Sequence, residues 1–205
     1  MTGRTAPAAL TSKGRATRLR IIETAAQLIL ATGASRTTLD DVMAEAKVGK
    51  SQVYHYFSGK SELLEAVIEH RTAKILGSEG LHRNLDSWSA WDRWRDTVVA
   101  LQARLGCIGG CPLGSLAGEL SDVDDLARQS LARGFVRWQG IFRDGIVTMR
   151  DAGQLRPDID AETMATSILA SLQGGLLLCT AQKSTRPLEA ALDGALTLLR
   201  HFATR

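Results

Sequence analysis

Cysteine and histidine are scarce, and neither is spaced to hold a metal. Three cysteines in 205 residues, an odd number without finger spacing, exclude a disulfide framework and a zinc finger. His55, His70, His82 and His201 lie too far apart for an H-x₃₋₅-H ligand pair. No metal and no cofactor is therefore expected. A Pro/Gly/Ser tract is also missing, which argues against a disordered chain. The opening MTGRTAPAALTSKGR lacks the apolar core of a signal peptide, so a cytoplasmic location with reduced thiols is expected. A Gly-rich phosphate loop, a G-x-S-x-G elbow and paired His–carboxylate spacing are all absent, so an enzyme is not expected.

Acid is absent from the first twenty residues. Arg4, Lys13, Arg15, Arg18 and Arg20 give them a charge of +5, whereas residues 21–60 balance and residues 61–205 carry −2. The whole net charge of +3 thus sits in a basic N-terminal arm, which suits a polyanion because neutralised phosphates release counterions.

What is present is helical. Ile22, Ala25, Ala26 and Ile29 recur at i, i+3, i+4, i+7 and predict a helix over about residues 15–32, stopped by Gly33 in the left-handed region. Thr37 or Thr38 caps a second helix with Asp40 and Asp41 in its first turn. It ends near Lys47, and a short turn leads to a third helix from about Lys50 to Phe57. Ser58-Gly59 breaks that helix, and a fourth runs from about Lys60 to Leu76. Its Glu62, Glu65 and Glu69 read as a solvated face. Further on, Trp88, Trp91, Trp94, Val98, Leu101 and Leu105 form one stripe, and Leu131, Phe135, Trp138, Phe142, Ile146 and Met149 another. A final helix follows Pro187. No segment alternates at period two, so the fold class is all-α.

Residues 163–182 hold no charge, a run of twenty that is long enough to span a bilayer. Thr163, Thr166, Ser167, Ser171, Gln173, Thr180 and the Gly174-Gly175 pair argue against a lipid environment. A helix buried between its own core and a partner subunit is the better reading, with no membrane partner.

Two short helices joined by a glycine-containing turn outline a helix-turn-helix. Val53, Tyr56 and Phe57 form the inner face of the third helix, so Ser51 and His55 point outward between Gln52 and Tyr54. This outer face has no acid. Gln52 suits a bidentate contact to adenine, Ser51 either base type, and Lys50, Tyr54 and His55 suit phosphates.

The stretch Thr37-Thr38-Leu39-Asp40-Asp41-Val42, followed by residues 48–63 with Tyr54-His55-Tyr56-Phe57-Ser58-Gly59-Lys60, closely resembles the DNA-binding domain of the tetracycline-repressor (TetR) family of bacterial regulators. The resemblance covers about residues 15–70. It implies an N-terminal helix-turn-helix domain joined through the fourth helix to a larger helical domain that binds a small molecule and dimerises. The expected divisions are a basic flexible arm over 1–14, a DNA-binding domain over 15–68 and an effector-binding and dimerisation domain over 69–205. Lys50, Ser51, Gln52, Tyr54 and His55 match the recognition helix, Thr37 and Thr38 match positions near phosphates, and Lys60 matches a backbone-touching lysine. Arg18, one of the basic residues among the first twenty, joins them. Many members carry Gly-Thr where this chain has Ser51-Gln52, so its operator is its own.

The implied function is a ligand-responsive regulator, a repressor that binds a palindromic double-stranded DNA operator as a homodimer. The effector is expected to be mostly apolar and to lie among Trp91, Trp94, Trp138, Phe142 and Gln173. Residues 106–119 and 171–178 resemble one branch of the family. Cys107 and Cys111 offer an alternative, sensing of oxidants or electrophiles, because Arg104 and a short helix starting near Leu113 would favour a thiolate. A second alternative is a DNA-binding architectural protein without effector. Gly134, Gly140 and Gly145 in the long aromatic helix point to close packing or to room for a ligand.

Overall fold

The computed structural model describes residues 10–77 and 84–204, and these residues form α-helices joined by short connections. Among the described residues the only extended pairing is an antiparallel bridge between Leu155 and Ala203. The chain divides into two compact units, and the division falls between Val67 and Ile68 inside the fourth helix.

The first unit holds α1 (Ser12–Thr32), α2 (Leu39–Ala46), α3 (Lys50–Tyr56) and the start of α4 (Lys60–Leu76). Helix α1 begins before the residue 15 expected from its apolar stripe. Thr11 Oγ1 accepts from Gly14 N at 3.1 Å, and Arg15 Nη1 donates to Leu10 O at 2.6 Å. Residues 12–14 therefore belong to the helix, not to an arm, while Arg4 lies outside the described residues. Ile21, Ile22, Ala25, Ala26 and Ile29 are buried. Gly33 ends the helix with φ 90° and ψ 154°, an extended positive-φ conformation rather than the left-handed one.

The second unit contains α5 (Trp88–Arg104), α6 (Pro112–Leu120), α7 (Asp125–Asp151), α8 (Ala161–Gln182) and α9 (Arg186–Arg200). Helix α8 packs along both α7 and α9. Close approach to α9 depends on Gly175, where a Cβ would stand 3.0 Å from Leu188 Cα. Arg95 holds Asp193 through two bonds of 2.8 and 3.0 Å, and Arg200 pairs with Asp92, so α5 is laced to α9. These pairs are exposed, and each contributes about 0–1 kcal/mol, so apolar burial holds the unit together. Arg156 N donates to Phe202 O at 2.8 Å, and Thr204 N to Gln154 O at 3.1 Å, which pins the C-terminal residues to the connection after α7.

Helix α8 is long and apolar enough to cross a membrane by length and composition. Its uncharged run has a different explanation here. One side, including Met164, Ala165, Ile168, Leu169, Leu172, Leu176 and Cys179, is buried in the unit's own core. The other side, Thr163, Thr166, Ala170, Gly174, Leu177 and Leu178, is exposed in the single chain. On α9 the exposed Ala190, Gly194 and Leu198 form a matching uncharged stripe.

Candidate functional site

The turn between α2 and α3 sets the outward face of α3. Thr38 caps α2: its Oγ1 accepts from Asp41 N at 3.1 Å, while Thr38 N donates to Asp41 Oδ2 at 2.9 Å. The Thr38 hydroxyl, donating to Asp41 Oδ2, and then the Thr38 N–H hold the Asp41 carboxyl below the usual carboxylate range. Lys47 then takes the left-handed conformation with φ 52°, and Val48 N donates to Met43 O at 3.1 Å. The positive φ thus falls on Lys47, while Gly49 has an ordinary φ of −76° and caps α3.

Val48, Val53 and Phe57 are buried, and Tyr56 is half-buried with its hydroxyl beside Gly14 of α1. The Arg18 guanidinium stacks over the Phe57 ring at 5.1 Å and so braces α1 against the end of α3. Lys50, Ser51, Gln52, Tyr54 and His55 are all exposed. Lys50 Nζ lies 5.9 Å from the Tyr54 ring centre, and His55 meets Tyr56 edge-on at 4.8 Å. The face is cationic, polar and aromatic, and α3 has no acid in its first turn. Gln52 Oε1 accepts from Gly49 N at 3.3 Å, so a bidentate contact to a base would exchange that long bond for two new ones.

Two expected phosphate ligands need correction or refinement. Thr37 is 4% exposed; its hydroxyl donates to Gly33 O at 2.8 Å and lies 3.1 Å from Thr32 Oγ1, which makes it a structural clasp between α1 and α2. Thr38 is exposed, but its hydroxyl proton goes to Asp41 Oδ2 at 2.7 Å. Lys60 stands at the first position of α4, where the helix dipole disfavours a cation. Its ammonium makes a 3.4 Å bond to Ser35 O. Glu62 is not merely solvated: it accepts from Ser58 N at 2.7 Å, and Glu69 accepts both 2.7 Å bonds from Arg137. The Glu62 contact was signalled by an acid at the third position of the helix.

In the second unit, the expected pocket residues separate into two places. Trp91, Trp94, Trp138 and Phe142 are buried, and three of these rings pack on one another, with centroids 5.2–5.8 Å apart. They fill space between α5 and α7. Gln173 instead lines a cleft of about 400 Å³ between α6 and α8, together with Cys111, Gly114, Gly118 and Thr180 but none of those four aromatics.

Cys111 does not gain the expected thiolate character. Cys111 does cap α6, and its Sγ accepts from Gly114 N at 3.4 Å. Burial outweighs that bond and pushes its thiol up. Cys107 is buried too, and it lies beside Cys179, whose thiol burial and the Cys107 contact raise further. Native Cys111 should therefore react with iodoacetamide at pH 8 more slowly than free cysteine, and the difference should vanish in denaturant. A native rate faster than that of free cysteine would restore the sensor reading.

Comparison with known proteins bears on the whole chain. Residues 21–67 match the family described as bacterial regulatory proteins, tetR family, and residues 89–195 match the tetracyclin repressor-like C-terminal domain. The HTH-type transcriptional regulator Rv0196 of Mycobacterium tuberculosis is 30% identical over 84% of this chain and 88% of its own. The HTH-type transcriptional repressor DhaR of Mycobacterium sp. (strain GP1) is 27% identical over 85% of this chain and 88% of its own. A TetR transcriptional regulator from Chloroflexus aurantiacus superposes with a TM-score of 0.78 at 26% identity, covering 94% and 98% of the two chains. With an acid-free helix presented after a capped helix and a tight turn, and with both halves matched, the chain belongs to the TetR family of DNA-binding transcriptional regulators.

Proposed function

We propose that the protein is a cytoplasmic repressor that binds a palindromic operator as a homodimer and is released by a small-molecule effector. The observation that carries the DNA half is the outer face of α3: five exposed cationic, polar and aromatic residues, Lys50, Ser51, Gln52, Tyr54 and His55, over a buried Val53. Ser51 and Gln52 read base edges, Lys50, Tyr54 and His55 hold phosphates, and Lys60 and Arg18 add positive charge at the periphery. Thr38 contributes its place at the α2 entry. Dimerisation uses the uncharged exposed stripes of α8 and α9, which the single chain leaves uncovered. That DhaR is named a repressor supports repression as the mode.

The reading is tested with a duplex selected by the protein from a random pool. The selected site should be palindromic, with half-sites about one helical turn, ~34–36 Å, apart. Gln52→Ala should lower affinity for that site by about 1–3 kcal/mol while leaving random DNA nearly unchanged. Lys60→Ala should weaken both alike and make the salt dependence shallower by about one counterion. Equal losses on selected and random duplex for both variants would refute this division of labour.

Ligand response rather than a purely architectural role is supported by the match of residues 89–195 to the tetracyclin repressor-like C-terminal domain, a family named after a small molecule. Effector binding must favour one spacing of the two reading heads over another, because only differential affinity for two states can switch an equilibrium.

A further inference from the structure

Three glycines inside helices have no spatial reason within the subunit. Gly118 on α6, Gly174 on α8 and Gly194 on α9 are exposed, and a Cβ at any of them would meet nothing within 4 Å. Glycine inside a helix is less favourable than alanine, and elsewhere in this unit close neighbours account for it. A Cβ on Gly175 would stand 3.0 Å from Leu188 Cα, and one on Gly145 would stand 2.6 Å from Leu85 O. Gly118, Gly174 and Gly194 meet no such neighbour, so what they make room for lies outside the subunit.

The three belong to one face. At about 100° per residue, Gly174 points outward on α8, while Gln173, Leu177 and Thr180 turn to one flank and Gly175 to the other. The first flank looks into the cleft of about 400 Å³ that Gly114 and Gly118 line from α6. The second packs on α9, where Ala190, Gly194 and Leu198 are exposed. Helix α8 is thus the middle of a face with a groove on one side and a ridge on the other. No residue lining the groove or standing on the ridge carries charge. The α8 and α9 stripes described above supply nine exposed residues, against about 20–30 on each side of a stable interface. A dimer face built on them must therefore reach further, and the groove is the adjoining uncharged surface.

Groove and ridge also match in height along the helices. Gly110 lies opposite Thr180 and Gly114 opposite Gln173, so α6 runs antiparallel to α8 and Gly118 stands level with about position 169. Gly175 lies opposite Leu188, and α9 returns antiparallel to α8, so Gly194 stands at the same level. A two-fold axis running along α8 keeps these levels and exchanges the flanks. We propose that the partner subunit's α9 lies in the groove between α6 and α8, with Gly194 of the partner subunit against Gly118 and the two α8 helices meeting at Gly174. Glycine at each crossing lets the backbones approach closely. The groove–ridge contact is made twice, once on each side of the axis. An axis running across the helices would instead set groove on groove and leave both empty. The inference rests on the homodimer reading above and extends its interface to α6.

The test uses the full-length protein carrying Gly118→Cys, Gly194→Cys or both, treated with a short bismaleimide and run on a denaturing gel. The native cysteines are buried, so wild type serves as the blank. Within one subunit, positions 118 and 194 lie on opposite flanks of α8, about 16–20 Å apart at usual helix spacings, beyond the reach of the reagent. The double variant should run at twice the subunit mass, as should a mixture of the two single variants after subunit exchange, while each single variant alone stays at one mass. Gly118→Leu should keep the circular dichroism of wild type, because the single chain has room for it, and should raise the dimer dissociation constant at least tenfold in sedimentation. Cross-linking of Gly118→Cys alone would set α6 on α6 and overturn the proposal. So would cross-linking of Gly194→Cys alone, or a Gly118→Leu dimer as tight as wild type. The two readings fail separately. A double variant that stays at one mass while wild type sediments as a dimer removes the groove contact and keeps the homodimer, whereas a monomeric wild type removes the homodimer itself.

Discussion

Leu176→Asp and Leu177→Asp, neighbours on α8, are expected to fail in different ways. Leu176 is 5% exposed and packed in the subunit's own core, while Leu177 is 70% exposed in the single chain. An unpaired carboxylate at position 176 carries a desolvation penalty of several kcal/mol, comparable to the whole stability of ~5–15 kcal/mol. Leu176→Asp should therefore abolish cooperative folding, seen as lost helical circular dichroism or insoluble expression. Leu177→Asp keeps the core intact, so its circular dichroism should match wild type. In the proposed dimer it places a charge in each copy of a self-complementary interface, so each substitution acts twice. Sedimentation should then show monomers at a micromolar concentration at which wild type is expected to be dimeric, with operator affinity falling in parallel. A fully dimeric Leu177→Asp would show that the α8 stripe is not the dimer face. Leu196, buried at 2%, belongs with Leu176, whereas Leu198 on the exposed stripe belongs with Leu177.

That distinction was hidden in the sequence. An uncharged helix announces that both its sides avoid water, but residues such as Leu176 and Leu177 are chemically the same, and only the packing of α7 and α9 decides which side is already covered. The outward side of α3 was readable, because Val53, Tyr56 and Phe57 recur at i, i+3, i+4 and leave Ser51 and His55 outside. Thr37 was not readable in the same way. A threonine at a helix entry can bond backbone or phosphate equally well, and the choice depends on how closely Gly33 O and Thr32 approach it. The first turn of α1 was missed because Ser12, Lys13 and Gly14 add no apolar residue to the stripe, although Thr11 stood ready as a cap.

The expected effector residues show a second limit. The spacing of Trp91, Trp94, Trp138 and Phe142 shows that they face inward, yet periodicity cannot tell a filled core from a lined cavity. Here three of the rings occupy the space by packing on each other. The open cleft lies instead where α6 has Gly and Ser opposite Gln173 and Thr180, and the signal was a run of small residues at helical spacing. The cysteine at the start of α6 illustrates competition between two effects of known sign. A helix N-terminus lowers a thiol's pKa and burial raises it, and the sequence shows the first but not the second.

Gly145→Ala should destabilise the second unit, and Gly140→Ala should stabilise it, although both glycines lie in α7. Glycine inside a helix is less favourable than alanine by about 1 kcal/mol, so both substitutions gain that amount where space permits. At Gly140 the nearest atom to a new Cβ is Arg143 Nη2 at 3.7 Å, the end of a flexible side chain in ordinary contact. At Gly145 the new Cβ would stand 2.6 Å from Leu85 O and 2.8 Å from Leu85 Cβ. Leu85 is itself buried just ahead of α5, so relief means moving backbone that positions Trp91 and Trp94. Overpacking of this kind costs about 1–3 kcal/mol, enough to exceed the helical gain. Gly134 resembles Gly145 in kind, with Thr72 Oγ1 at 2.8 Å, but a side chain there can turn where a carbonyl cannot. Trp88, Trp91, Trp94 and Trp138 all lie beyond Ile68, so thermal unfolding followed by tryptophan fluorescence reports this unit alone. Gly145→Ala should lower Tm by about 2–8 °C and Gly140→Ala should raise it by about 1–4 °C. A rise for both would mean that the connection before α5 yields freely and that the α7 glycines are not there for packing.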